Sequence, residues 1–510
     1  MGSLRRLAAW KLDALADLTI AAATIGTLLL AAYLAQTLFA WYRLSHIPGP
    51  RWAAFSKYWM VKESLKRRQP FAFKEANDKY GSLVRIGPNE LVTGDPEILR
   101  RMMAIHSPYT KGPWYDAMRF DPTRDNLLSM RDEAAHTALR AKMAAGYSGK
   151  ENLSMEGTVD GQIQKLVDLI ETKYISTSKE YKPMDLAQKV QYFTLDVISD
   201  LAFGQAFGFL EQDDDVFDYI KITGFMIPVL LVLANVPSLA NMFQSPLFRG
   251  LLPKESDKFG FGAFIGVTKK KVGERFGAEA TSQPDMLGSF IRHGLTREEA
   301  SGEALLQVIA GSDTSATTVR TVLLNIMTSP SVYKRLQTEI DTGIANNTIS
   351  SPIRDAEARN MPYLQAVIKE ALRIMPPAGG AFFRSVPAGG DVIDGKFVPA
   401  GTQIGSSPLA IHRSKKLFGL DADFYRPERW LDVDAERLAQ MASTVDLVFH
   451  YGRYQCLGKP VALMEFNKVF VELLRRFDFA IVRPDKAAEI GNAGIWLMED
   501  FWVRVVRREP

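Results

Sequence analysis

Residues 18–42, LTIAAATIGTLLLAAYLAQTLFAWY, hold no charged side chain in 25 positions, and that limits what the segment can become. Wound as a helix at about 1.5 Å per residue, it is roughly 37 Å long, enough to cross a hydrocarbon layer of about 30 Å with some tilt. Trp41 and Tyr42 stand at one end, where interfacial aromatics belong. A cleaved signal would have a shorter apolar core followed by a small-residue cleavage site, so a retained anchor is expected. Arg5, Arg6 and Lys11 before the run balance Arg43, Arg51 and Lys57 after it, and orientation does not follow from charge. MGSLRR lacks the Ser or Thr that a myristoylation signal needs. IPGP at 47–50 breaks the helix and stiffens a short connector. The expected organisation is an anchor over 1–42, a Pro/Gly hinge over 43–60 and one body over 61–510.

The body has the makings of a large core, with 47% of the chain hydrophobic and 24% charged. A net charge of 62 − 58 = +4, without any long basic run, argues against nucleic acid as a partner. YGSLVRIGPNELVTG (80–94) alternates around a Gly-Pro turn and predicts a β-hairpin. In the DPEILRRMM that follows, Asp95 caps a helix and Pro96 opens it. Helical periodicity dominates from about 130 to 375, short strands follow over 380–405, and GIWLMEDFWVRVVRR at 494–508 alternates as a strand. The fold class is therefore mainly α with small β-sheets.

One helix is far longer than the rest. It opens on a capping box, Thr296 with Glu299, and stops at Ser329-Pro330. AGSDT lies in its middle at 310–314. Gly311 costs about 1 kcal/mol against Ala in a helix, so a reason for it is needed. One reading is a tolerated glycine beside a solvated Asp. The other is a local opening of the helix, where Asp313 and Thr314 hold water and pass protons.

FHYGRYQCLG (449–458) contains the sole cysteine, Cys456, which therefore makes no intramolecular disulfide. By number alone a single cysteine is a small buried hydrophobe. Zinc would need more Cys and His, and a nucleophile would need a recognisable His partner. A haem iron needs one protein ligand, and a thiolate serves. Backbone N–H groups and a helix start just beyond Cys456 would lower its pKa, and Gly452 and Gly458 would let backbone approach a flat macrocycle.

With these motifs in this order, the chain resembles the cytochrome P-450 haem-thiolate monooxygenases, in particular fungal members of secondary metabolism. Phe449, Gly452, Cys456 and Gly458 match the family's cysteine loop, and AGSDT resembles the oxygen-activation motif of its long central helix. EALR (370–373) resembles the Glu-x-x-Arg pair and PERW (427–430) the segment whose arginine joins it, which implies a buried network of Glu370, Arg373 and Arg429. The same spacing at Glu97–Arg100 and Glu472–Arg475 reads as ordinary surface pairs. The family usually carries Arg two residues before the cysteine. Here that position is Tyr454, leaving Arg453 as the candidate for a haem propionate. His136 and Arg140 stand where the family often has Trp-x-x-x-Arg, and Arg384 resembles a third propionate partner.

The resemblance implies haem b with Cys456 as axial ligand, and insertion of one oxygen atom of O2 into a hydrophobic small molecule. It implies Gly311, Asp313 and Thr314 as the oxygen-activating and proton-delivering residues. Electrons would come from NADPH through a separate reductase, with cytochrome b5 a second donor, and Lys142, Arg453 and Lys459 could face that partner. The anchor would hold the body on the cytosolic side of the endoplasmic reticulum, leaving the sequons at Asn152 and Asn346 unglycosylated. Apolar stretches at 111–120, 224–233, 305–311, 379–383 and 494–497 would line the substrate pocket, and 224–233 could dip into the membrane. A terpenoid or polyketide intermediate is the expected substrate. A haem-thiolate isomerase or dehydratase, a fatty-acid or xenobiotic hydroxylase, a haem sensor and a cysteine hydrolase are the alternatives.

Overall fold

The computed structural model describes residues 2–152, 154–277 and 283–509, with side chains from residue 17 onward except residue 29. The side chains of Arg5, Arg6 and Lys11, and residue 153 inside the first sequon, lie outside these. A helix over Gly2–Arg43 contains the whole uncharged run. Among its described apolar side chains most face outward, Leu18 at 68% and Ile20 at 64% exposure. Its end is nevertheless tied to the body. Buried Arg85 donates to the carbonyls of Ala40 (3.0 Å) and Trp41 (3.1 Å), and its own N–H donates to Pro48 (2.9 Å). Leu44 and Ile47 are buried as well, so the connector is packed onto a strand.

That strand belongs to a five-stranded sheet in the order Leu83–Arg85, Glu90–Thr93, Gln403–Ser406, Arg384–Ser385, Thr110–Lys111. The expected hairpin forms its edge, Leu83 facing Thr93 in antiparallel register. At the other edge Lys111 pairs with Arg384. Asp95 caps Pro96–Met103 by accepting from the Glu97 N–H at 2.8 Å.

The long helix runs Arg297–Met327, 31 residues, and its Thr296–Glu299 capping box is present. It is buried along most of its length and packs along Leu186–Phe203. Its ladder does not open at Gly311, contrary to the second expectation above: the segment is α-helical throughout. The glycine has a packing reason instead. A Cβ there would come within 2.8 Å of Ile198 on the neighbouring helix, and overpacking of that kind costs about 1–3 kcal/mol.

The C-terminal segment is two strands, not one. Trp496–Glu499 pairs with Glu489–Asn492, whereas Trp502–Arg507 lies between Pro183–Asp185 and Phe477–Ile481 in another sheet. Asp500, at φ 54°, turns the chain between them, and an alternating pattern does not register such a turn. Glu472–Arg475 is also a correction, because both side chains are buried and Glu472 accepts the Ile353 N–H at 2.9 Å. Glu97–Arg100 is the surface pair expected, with Glu97 well exposed.

Candidate active site

Cys456 sits on a short loop between the single turn Gly452–Tyr454 and the helix Lys459–Leu474. Its N–H donates to the Phe449 carbonyl at 2.7 Å, closing the loop on itself. Gly452 holds φ 58°, and a Cβ there would run into the Met103 carbonyl, so side chains are excluded at that turn. Burial raises the Cys456 thiol above its ordinary range, while the N–H groups of Gly458 and Lys459 and the Arg140 guanidinium pull it back. The residue has exposed surface all the same, because it lines a large internal cavity.

The central helix lends the cavity one stripe, Glu303, Gln307, Ala310, Gly311 and Thr314, at the spacing of a single helix face. Thr314 Oγ1 donates to the Ala310 carbonyl at 2.7 Å, which leaves its lone pairs toward the cavity. Asp313 does not line the cavity. Its carboxylate accepts from Gln191 Nε2 at 3.0 Å and from the Tyr219 hydroxyl at 3.1 Å, behind the helix. Burial pushes it up to about 6, against the pull of Arg320. Adjacent residues on a helix are about 100° apart, and here that offset leaves Thr314 on the cavity face and Asp313 turned to Gln191 and Tyr219.

Two acids missed by sequence reasoning stand at the cavity wall. Glu303 accepts the Leu127 N–H at 2.7 Å, while its other oxygen has no partner. Glu465 is engaged by Ser315, and its second oxygen is likewise unpartnered. Burial raises each to about 8, so both hold their protons at neutral pH. Glu465 is nine residues beyond Cys456 and Ser315 follows Thr314, a proximity no local pattern announces. The rest of the lining is mainly apolar: each expected segment contributes, Trp114, Met226, Leu230, Phe382 and Ile495 among them, while Leu127, Met143, Ile198 and Phe261 come from outside those segments.

One side of the cavity is strongly basic. Lys111, His136, Arg140 and Arg384 line it. Among the described residues, no carboxylate pairs with Lys111, Arg140 or Arg384. Arg384 Nε and His136 Nδ1 are buried without partners. Burial and the surrounding cations depress Lys111 to about 7 and His136 to about 3. Unpaired buried cations are costly, so this arrangement suits an anion of more than one charge. The carboxylates of a haem fit these donors, and the thiol facing the same cavity fits its iron. Arg453 is turned elsewhere. It reaches the carbonyls of Ile105 and Ser107 and the carboxylate of Glu133, and does not line the cavity. Lys142 and Lys459 are similarly paired, with Glu299 and Asp446.

Behind the site, Glu370 is fully buried among donors from four residues, one of them the Arg426 N–H at 2.8 Å. Arg373 Nε and Nη2 lie 2.8 Å from its two oxygens, Arg429 Nε lies at 2.9 Å and Trp430 Nε1 at 3.0 Å. The same two arginines hold the carbonyls of His412, Ala422 and Phe424, fastening the 412–430 segment to the helix Pro362–Ile374.

Comparison with known proteins agrees with this geometry. The family model for cytochrome P450 matches residues 47–498. Cytochrome P450 monooxygenase ABA1 of Pyricularia oryzae is 43% identical over 486 residues, 93% of this chain and 95% of that one. Cytochrome P450 monooxygenase aba1 of Botryotinia fuckeliana is 40% identical over 470 residues, 91% of this chain and 92% of its own. Cytochrome P450 monooxygenase abl1 of Leptosphaeria maculans is 38% identical over 456 residues, 88% of this chain and 80% of its own. A match of this extent, on a mainly helical fold whose cysteine faces the long central helix across a basic-sided cavity, leaves one conclusion: the chain belongs to the cytochrome P450 family, the haem-dependent oxidoreductases.

Proposed function

We propose that the protein is a membrane-anchored haem-thiolate monooxygenase acting on an apolar small molecule in fungal secondary metabolism, a terpenoid or a polyketide intermediate. The carrying observation is the placement of Cys456 and the Thr314 face of the central helix on one mainly apolar cavity with a cationic side and two buried acids. Haem iron bound there would supply activation of O2 and delivery of one oxygen atom to the substrate. Cys456 would hold the iron through its thiolate, stabilised by the N–H groups of Gly458 and Lys459. Phe449, Gly452 and Gly458 shape the loop, and His136, Arg140 and Arg384 would hold the propionates. The apolar walls exclude water and select a hydrophobic substrate. Glu303, protonated at one end of the Thr314 stripe, offers a hydrogen bond to a substrate oxygen. Electrons would come from NADPH through a separate reductase.

Thr314 holds the hydroxyl that faces the cavity, and Asp313 supports that stretch of helix from behind through Tyr219 and Gln191. In this reading Thr314 positions the proton that reaction requires, a role worth about 10²–10⁴ in rate. Thr314→Val keeps the shape and removes the hydroxyl. With an apolar terpenoid or polyketide chosen because it moves the Soret band, product formation should fall about 10²-fold. NADPH and O2 consumption should continue and peroxide accumulate. Unchanged product yield per NADPH would remove Thr314 from the mechanism.

The exposed apolar span Asp17–Arg43 would fix the protein in the endoplasmic reticulum with residues 61–510 cytosolic, 43–60 forming the link. A second apolar helix, Tyr219–Asn235, leaves Phe225 70% exposed and would rest on the same membrane. Deleting residues 2–42 should shift the protein from the carbonate-resistant membrane fraction to one released by alkaline carbonate. Unchanged carbonate resistance would place the anchor elsewhere.

A further inference from the structure

The position two before the cysteine holds Tyr454, and the neighbouring Arg453 is committed to the carbonyls of Ile105 and Ser107 and to Glu133. Tyr454 supplies no charge, and its hydroxyl already donates to Glu133. The charge that an arginine at 454 would add beside Arg140 and Arg384 is therefore missing from the basic side of the cavity.

Lys111 and Arg384 are register partners on neighbouring antiparallel strands, both buried, at 4% and 1% exposure. Like charges directly opposite each other on a sheet are destabilising, and burial makes the repulsion worse. Lys111 Nζ donates to the carbonyls of Leu127 (2.8 Å) and Leu128 (2.9 Å), which uses two of its three N–H bonds. Arg384 gives Nη1 to the Tyr115 hydroxyl at 2.7 Å and keeps Nε unpartnered. The Tyr454 ring lies 3.8 Å from the Arg384 guanidinium and 5.7 Å from Lys111 Nζ, a flat platform beneath both cations. Two opposed cations with spare donors over one aromatic floor make a carboxylate cradle.

We propose that Lys111, paired across the sheet with Arg384, binds a haem propionate in place of the arginine that Tyr454 displaces. The third N–H of Lys111 and the Nε of Arg384 are the donors, and Tyr454 acts as the platform on which Arg384 lies flat. The inference rests on the haem-thiolate reading above.

The test is the rate at which the full-length, haem-loaded protein loses haem to excess apomyoglobin. Lys111→Met should lose haem about tenfold faster, the change that one charge-assisted hydrogen bond carries. Lys111→Gln, whose amide can still donate to the Leu127 and Leu128 carbonyls, should lose haem as fast as the Met variant, and Lys111→Arg should stay near wild type. A Lys111→Gln protein with the wild-type rate would overturn the proposal. So would a Lys111→Arg protein that loses haem as fast as Lys111→Met, which would make the charge at 111 irrelevant to haem retention. Failure of the haem-thiolate reading is separately visible, as a wild-type protein that binds no haem or shows no thiolate signature before any variant is compared.

Discussion

Replacing Arg373 by Met lowers the stability of the folded protein by about 3–5 kcal/mol, the cost of breaking a buried ion pair from one side. The magnitude follows from what is left behind. Glu370 keeps Arg429, Trp430 and the Arg426 N–H but loses both short contacts to Arg373, and it has no solvent to turn to. The carbonyls of His412 and Ala422, each held by Arg373 Nη1, lose that donor inside the core as well. Lysine in place of Arg373 restores charge but not a planar fork of five donors, so Arg373→Lys should recover less than half of the loss. Glu97→Gln on the surface, at the same sequence spacing, should cost less than about 1 kcal/mol. Urea unfolding of the haem-loaded protein, followed by far-UV circular dichroism, measures all three. A loss below about 1 kcal/mol for Arg373→Met would mean that the network is dispensable, contrary to its burial.

That contrast marks where the sequence was legible. Glu370–Arg373, Glu97–Arg100 and Glu472–Arg475 share one local spacing, and only their place in the order of motifs set the first apart. For Glu472 that order misled, because its burial depends on the Ile353 segment packed over it. Features governed by neighbouring residues were readable: the Thr296–Glu299 capping box, the Asp95 cap, the hairpin at 83–93 and the turn-rich loop before Cys456. Features decided by a distant partner were not. Gly311 looks like a helix weak point until Ile198 is placed against it. Asp313 looks like the partner of Thr314 until helix geometry turns it toward Tyr219 and Gln191. Lys111 belonged to an apolar stretch, and only the pairing of its strand with Arg384 brings it to the cationic side. Tyr454 was readable as a departure, but what compensates for it was not.

Cys456→Ser should abolish monooxygenase activity completely while leaving the fold close to intact. The loop geometry depends on the Cys456 N–H bond to Phe449 and on the turn at Gly452, and a serine keeps both. What it removes is the soft, ionisable sulfur. The N–H groups of Gly458 and Lys459 and the charge of Arg140 draw the thiol toward its thiolate against the cost of burial, and metal binding favours the deprotonated form further. A serine hydroxyl in the same setting stays neutral and lends the iron far less electron density. The measurement that tests this most directly is the carbon monoxide difference spectrum of the reduced, full-length protein beside its Cys456→Ser variant. The wild type should show the strongly red-shifted Soret band of thiolate ligation, and the variant should lack it. A wild-type protein with haem but no such band, or a variant that retains it, would contradict the assignment of Cys456 to the iron.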